Sequence, residues 1–257
     1  MSGPSGKNPF RPGVGTRPAY LAGRDAPMRR FSALLRSAPE QPANMRVTGL
    51  RGVGKTVLLG EFERIAGEAA WAAGFLEFAP AHNEDAAVVR AIGDLADRVT
   101  HQVIRMERIK AALGRAGRVA GSLGVTYNEV KVTFEPGMVA GSVDLSARLF
   151  EVVEVAVDKG LTGVVLLLDE AQIVRDDRTA RGDHPLSLLI SAVASLQRRE
   201  IPIGLVVCGL PTLTGNLLRA RSYTERMFRG EEVGRLDAPE AAAAFTECGY
   251  RSALYVG

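Results

Sequence analysis

Apolar residues fall into two alternating rhythms along the chain. Short runs with strand character appear at Met45-Arg46-Val47-Thr48, from Trp71 to Ala79 before Pro80, from Gly163 to Asp169 and from Ile201 to Cys208. Val233 and Leu236 allow a short fifth strand. Between these runs the apolar positions recur three and four residues apart, the spacing that gives a helix one buried face. Met28, Phe31, Leu34 and Leu35 form the first such stripe, with Asp25 as its expected N-cap and Gln41-Pro42-Ala43 as its break. Leu58, Phe62, Ile65 and Ala69 form the second, and Val88, Ile92, Leu95, Val99 and Val103 open a long helix that breaks by Gly121. Leu145, Leu149, Val152 and Ala156 lead to a stop at Lys159-Gly160. Later helices are predicted from Pro185 with Leu188, Leu189, Ala192 and Leu196 inward, around Leu213 and Leu217, and from Pro239 to Phe245.

Strands alternating with helices predict a three-layer α/β domain around a parallel five-stranded sheet, over residues 20–236. Residues 1–19, rich in Pro, Gly and Ser, read as a flexible arm, and residues 237–257 as the start of a helical segment. Partial alternation from Val125 to Phe134 suggests a hairpin-like insertion ended by Pro136-Gly137, and Arg175 to His184 read as an exposed polar loop.

One junction carries explicit chemistry. Gly49-Leu50-Arg51-Gly52-Val53-Gly54-Lys55-Thr56 joins the first strand to the second helical stripe and matches the pattern of a phosphate-binding loop, the Walker A motif. Glycines let the backbone turn its N–H groups inward around a polyphosphate, and Lys55 brings a mobile positive charge to the β- and γ-phosphates. Thr56 opens a helix whose unpaired N–H groups favour an anion, and its hydroxyl is the expected Mg²⁺ ligand. Strand before and helix after set aside a chance glycine-rich turn.

The stretch from Gly163 to Asp169-Glu170 is the counterpart. An apolar strand buried on both faces would present its terminal acids at the carboxyl edge of a parallel sheet, where ligands of open α/β sheets bind. It reads as a Walker B strand, with Asp169 holding Mg²⁺ through water and Glu170 orienting a water for attack on the γ-phosphate. Acids complementing a helix dipole would be the blander reading, made improbable by the loop upstream.

Composition narrows the classes. Of 257 residues, 46% are hydrophobic and 24% charged, and the longest apolar run, Val164 to Leu168, is strand-sized rather than membrane-spanning. Met1 to Lys7 lack an apolar export segment, and Cys208 and Cys248 lack metal-type spacing, so a cytoplasmic location with reduced thiols is expected. His82, His101 and His184 are scattered, so no metal is expected beyond nucleotide-bound Mg²⁺. A net charge of +3 does not by itself imply nucleic acid. Two basic clusters, Arg105 to Arg118 and Arg175 to Arg181, read as solvated faces before they read as a DNA surface.

Together these features resemble the AAA+ P-loop ATPases, especially the origin-recognition-like and STAND-like prokaryotic ATP-binding proteins. The resemblance rests on Gly23-Arg24-Asp25, the phosphate loop, Asp169-Glu170-Ala171-Gln172, Gly209-Leu210-Pro211 and Glu225-Arg226-Met227-Phe228. It implies that Leu21 to Arg24 flank the adenine, that the sheet has the order of the ASCE class with the two Walker strands adjacent, and that Arg226 is an arginine finger acting in a neighbouring subunit. A surface arginine at a helix end remains the alternative for Arg226. Two departures from the family pattern matter: the strand after Walker B ends in Cys208-Gly209 where a polar sensor is common, with Thr212 the nearest hydroxyl, and little of the helical lid is present. Weak binding of Mg-ATP and slow turnover are therefore expected.

The leading expectation is a Mg²⁺-dependent ATPase whose hydrolysis drives a conformational or assembly change. The alternative is a nucleotide-gated switch or scaffold that hydrolyses little and recruits DNA or protein partners. A small-molecule kinase is disfavoured, because Asp-Glu at the strand end suits water activation. Partners expected besides ATP are a homo-oligomer or another protein, with DNA a weaker expectation and no membrane.

Overall fold

In the computed structural model, which describes residues 21–82, 85–115, 145–174, 185–220 and 224–247, the strand entering the phosphate loop has a neighbour on each side. This strand, β1 (Ala43–Thr48), pairs in parallel with β4 (Ile203–Gly209) and with β5 (Arg229–Glu232). The five-stranded sheet is completed by β3 (Gly163–Asp169) and β2 (Trp71–Glu77), in the order β2-β3-β4-β1-β5. The expected parallel sheet is present. The two Walker strands are not adjacent, however, because β4 lies between β1 and β3. Every residue of β3 and β4 is buried, and strands this apolar need a partner on both edges and a helical layer on both faces.

Helices follow the sequence closely: α1 (Asp25–Ser37), α2 (Lys55–Glu68), α3 (Asp85–Arg115), α4 (Leu145–Asp158), α5 (Pro185–Gln197), α6 (Thr212–Ala220), α7 (Thr224–Met227) and α8 (Ala238–Glu247). Three boundaries differ from expectation. Asp25 is the first residue of α1 rather than its cap: Arg24 occupies the cap position and no side chain caps the helix end. β2 stops at Glu77, although the amide of Phe78 still donates to the carbonyl of Asp169 at 3.0 Å. The last strand lies before Val233, not from Val233 to Leu236. Its edge position leaves only Glu231 of its four residues buried, so it carries no apolar run for a periodicity to detect. Val233 extends the pairing by donating to the Thr48 carbonyl at 2.7 Å, whereas Leu236 is exposed. The proposed hairpin from Val125 to Phe134, the loop from Arg175 to His184, the arm and Cys248 lie outside the described residues.

Strand pleating sorts the core into two layers. Met45, Val47, Val165, Leu167 and Val206 face α1 and α2, where Phe31 and Phe62 stack with centroids 4.3 Å apart. Leu166, Leu168, Leu205 and Val207 face the opposite way, toward α3, α4, α5 and α6. Gly74 lets α3 approach β2 closely, since a Cβ there would lie 2.6 Å from a Val99 methyl. Asp169 has the same parity as Val165 and Leu167. The period of two that buries those side chains against α2 therefore aims the Asp169 carboxylate at the N-terminus of that helix.

Candidate functional site

The loop between β1 and α2 is held by geometry that glycine makes available. Gly54 takes φ of 85°, in the left-handed region, at the position just before Lys55. Gly49 passes so close to the strand end beside it that a Cβ would stand 2.3 Å from the carbonyl oxygen of Val233. Lys55 is buried, and its ammonium donates to the carbonyls of Gly49 at 3.1 Å and Leu50 at 2.8 Å. Leu50 and Arg51 are exposed, as is Gly52, so the outer rim of the loop faces solvent.

At the end of β3 the two acids separate in role. Asp169 is 1% exposed, accepts from the Thr56 hydroxyl at 2.6 Å through Oδ2 and from the Glu170 amide at 2.8 Å through Oδ1. Glu170 is half-buried and sits at φ of 51°, a left-handed conformation uncommon for a residue with a side chain and one that concentrates at functional sites. That turn ends the strand and starts a single 3₁₀ turn, Ala171–Ile173. Within it Gln172 is buried; its amide nitrogen donates to the Glu170 carboxylate, and its amide oxygen accepts from the backbone N–H of Leu210 at 3.0 Å. Asn216 of α6 donates to the Gln172 carbonyl at 3.1 Å and is itself bonded by Arg219.

Arg24 reaches the loop from the other side. Its guanidinium donates to the Val53 carbonyl at 3.0 Å, the Gly234 carbonyl at 2.7 Å and its own neighbour Gly23 at 3.1 Å. It thus straps the phosphate loop to the segment leading into α8. Cys208 is fully buried on the face that carries Asp169; burial pushes its thiol pKa up, and the adjoining Asp169 carboxylate pushes it further the same way. Thr212, the nearest hydroxyl to the end of β4, is exposed at the start of α6. Arg226 is exposed on α7, and among the described residues no hydrogen bond or ion pair joins it to the loop. The sequence-predicted residues that the fold brings together are therefore Gly49 to Thr56, Asp169, Glu170 and Arg24.

By sequence, residues 20–207 match the AAA ATPase domain, well over half of the chain. The chain belongs to the AAA ATPase family. Solved structures agree on the fold. The Aeropyrum pernix ORC2 protein, in ADPNP and ADP complexes, aligns with a TM-score of 0.54 at 14% identity over 91% of this chain and 53% of that one. Cdc6p from Pyrobaculum aerophilum aligns at 0.52 and 14% over 91% and 51%, and a chain of the E. coli MS115-1 HORMA:CdnC:Trip13 complex at 0.52 and 14% over 92% and 70%. This AAA ATPase chain thus spans about half the length of the ORC2 and Cdc6p chains. A comparison with curated protein sequences gives no match.

Within this AAA ATPase, sequence reasoning missed Gln172, Asn216 and the strap made by Arg24. Gln172 stands inside the quoted Asp169-Glu170-Ala171-Gln172 motif, so the signal was adjacent to the acids. Asn216 gave none, because a lone polar residue in a short helix points to no partner.

Proposed function

We propose that this chain binds Mg-ATP at Gly49 to Thr56 and hydrolyses it, with turnover coupled to a conformational or assembly change. The observation that carries the reading is the 2.6 Å contact between the Thr56 hydroxyl and Asp169. It joins the start of the phosphate-loop helix to the end of the Walker B strand through two hard oxygen ligands. Such a pair suits Mg²⁺, which keeps most of its waters and takes one or two protein oxygens besides substrate phosphates.

In this reading the backbone N–H groups from Gly49 through Thr56 cradle the phosphates, and Lys55 turns from the Gly49 and Leu50 carbonyls to the β- and γ-phosphates. Thr56 and Asp169 would hold Mg²⁺, which would supply charge neutralisation to the phosphate oxygens. Glu170 orients the attacking water and accepts its proton. Arg24 braces the loop from Val53, with Leu21 to Arg24 beside the adenine. Arg226, exposed on its own short helix, would act on nucleotide held by a neighbouring copy. Mixing Arg226→Ala with Glu170→Gln chains should then recover turnover, and no recovery in proven mixed assemblies would leave Arg226 outside the site.

One observation favours a second reading, the slow nucleotide-gated switch: β4 ends in Cys208-Gly209 without a polar side chain. Phosphate release separates the two. An ATPase should turn over continuously, and Glu170→Gln should lower the rate at least ~100-fold with nucleotide binding retained. A wild-type chain that binds Mg-ATP but completes less than one turnover per hour would be the switch.

A further inference from the structure

Gly209 marks the end of β4, the point in the sheet between the phosphate loop and Asp169, and it has no side chain to offer. Space above it is nonetheless filled. A Cβ on Gly209 would fall 2.2 Å from the Gln172 amide oxygen and 3.3 Å from a Leu213 methyl. Gln172 comes from the 3₁₀ turn after β3, lies over Gly209 and is fixed at both ends of its amide: the nitrogen donates to Glu170 and the oxygen accepts from Leu210. Its backbone is fixed too, by Asn216.

We propose that Gln172 is the positioning residue for Glu170, supplying from the neighbouring turn the polar group that β4 itself lacks. This rests on the reading of Glu170 as the residue that orients the attacking water. A carboxylate on a left-handed residue at a strand end has several rotamers open to it, and a hydrogen bond to one oxygen leaves the other aimed in one direction. The amide also makes Glu170 answer to the β4–α6 connection. Any movement of Leu210 relocates the Gln172 oxygen, and with it the nitrogen that holds the carboxylate. Glycine at 209 is required for this arrangement because any larger residue would occupy the site of the amide.

The test uses the full chain in single-turnover hydrolysis with protein in excess over ATP. Gln172→Met keeps the length and apolar bulk of the side chain but removes both hydrogen bonds. Gly209→Ala keeps every polar group but displaces the amide, which covers the case in which the first variant folds poorly. Each is expected to slow the single-turnover rate ~10- to 100-fold, the scale of a misplaced reacting group. Affinity for Mg-ATP should stay within threefold. In the nucleotide-free protein the Leu210 amide should exchange its hydrogen faster in Gln172→Met than in wild type, an effect independent of turnover. A rate within twofold of wild type in both variants would overturn the proposal, as would affinity falling in step with rate. A wild-type rate in Glu170→Gln would instead overturn the reading of Glu170 on which the proposal rests.

Discussion

The Thr56 hydroxyl and the Asp169 carboxylate meet at 2.6 Å although 113 residues separate them in the chain. Each is delivered by a repeating geometry: Thr56 by the first turn of α2, and Asp169 by the strand alternation that sends Val165 and Leu167 into the same layer. Thr56→Val keeps the shape and removes the hydroxyl. It should destabilise the nucleotide-free protein by about 1.5–3 kcal/mol, the usual contribution of a hydrogen bond to a charged group. Titration should also show at least a tenfold weaker affinity for Mg-ATP with metal-free ATP nearly unaffected. An equal loss for both ligands would remove Thr56 from the metal site.

Arg24 offers a contrast, because its guanidinium is directed at the carbonyls of Val53 and Gly234. Arg24→Met should cost about 2 kcal/mol in denaturant unfolding, since two partly buried acceptors lose a charged donor. Arg24→Lys should recover only part of this, as one ammonium cannot span both oxygens with a planar fork. If Arg24→Met weakened nucleotide binding with no loss of stability, Arg24 would be a direct ligand contact and not a brace.

Cys208 gives a pH dependence with a defined sign. Burial and Asp169 raise its folded pKa above that of the unfolded thiol, near 8.5. Above that pH the unfolded chain has released the proton and the folded chain retains it, so stability falls as pH rises, by up to about 1.4 kcal/mol per pH unit. Well below that pKa, under about pH 7, the group contributes almost no slope. Denaturation between about pH 6 and 10 in wild type and Cys208→Ala, both without nucleotide, checks this: the slope difference should be near zero at the low end and grow as pH passes the unfolded pKa. An identical slope throughout would mean that the thiol ionises in the folded protein as it does in the unfolded one.

Much of this was legible in the sequence where a residue's role depends on local spacing. Leu58, Phe62 and Ile65 fall on the buried face of α2 because three- and four-residue steps return to one side of a helix. The loop and Asp169 were legible for the same reason, each defined by its own few neighbours. Strand order was not. Whether β1 lies beside β3 depends on how the crossovers through α2 and α5 pack, and no local pattern records that β4 enters between them. A short last strand was expected but its position was not legible, because pairing to β1 through its backbone asks nothing of the side chains of β5, and Arg229, Gly230 and Glu232 are all exposed. Gln172 was visible but had no partner to be assigned, since Leu210 reaches it only once β4 is placed next to β3.

Calorimetric titration of Mg-ATP into the full chain and into Lys55→Ala tests the nucleotide site most directly. Lys55 is buried within the loop, and among the described residues its ammonium donates to the Gly49 and Leu50 carbonyls, so truncating it removes the charge matched to the phosphates. Saturable binding of one nucleotide per chain is expected for wild type, with no measurable heat of binding for a Lys55→Ala variant whose melting temperature is unchanged. Equal affinity in the two proteins would contradict the assignment of Gly49 to Thr56 as the nucleotide site.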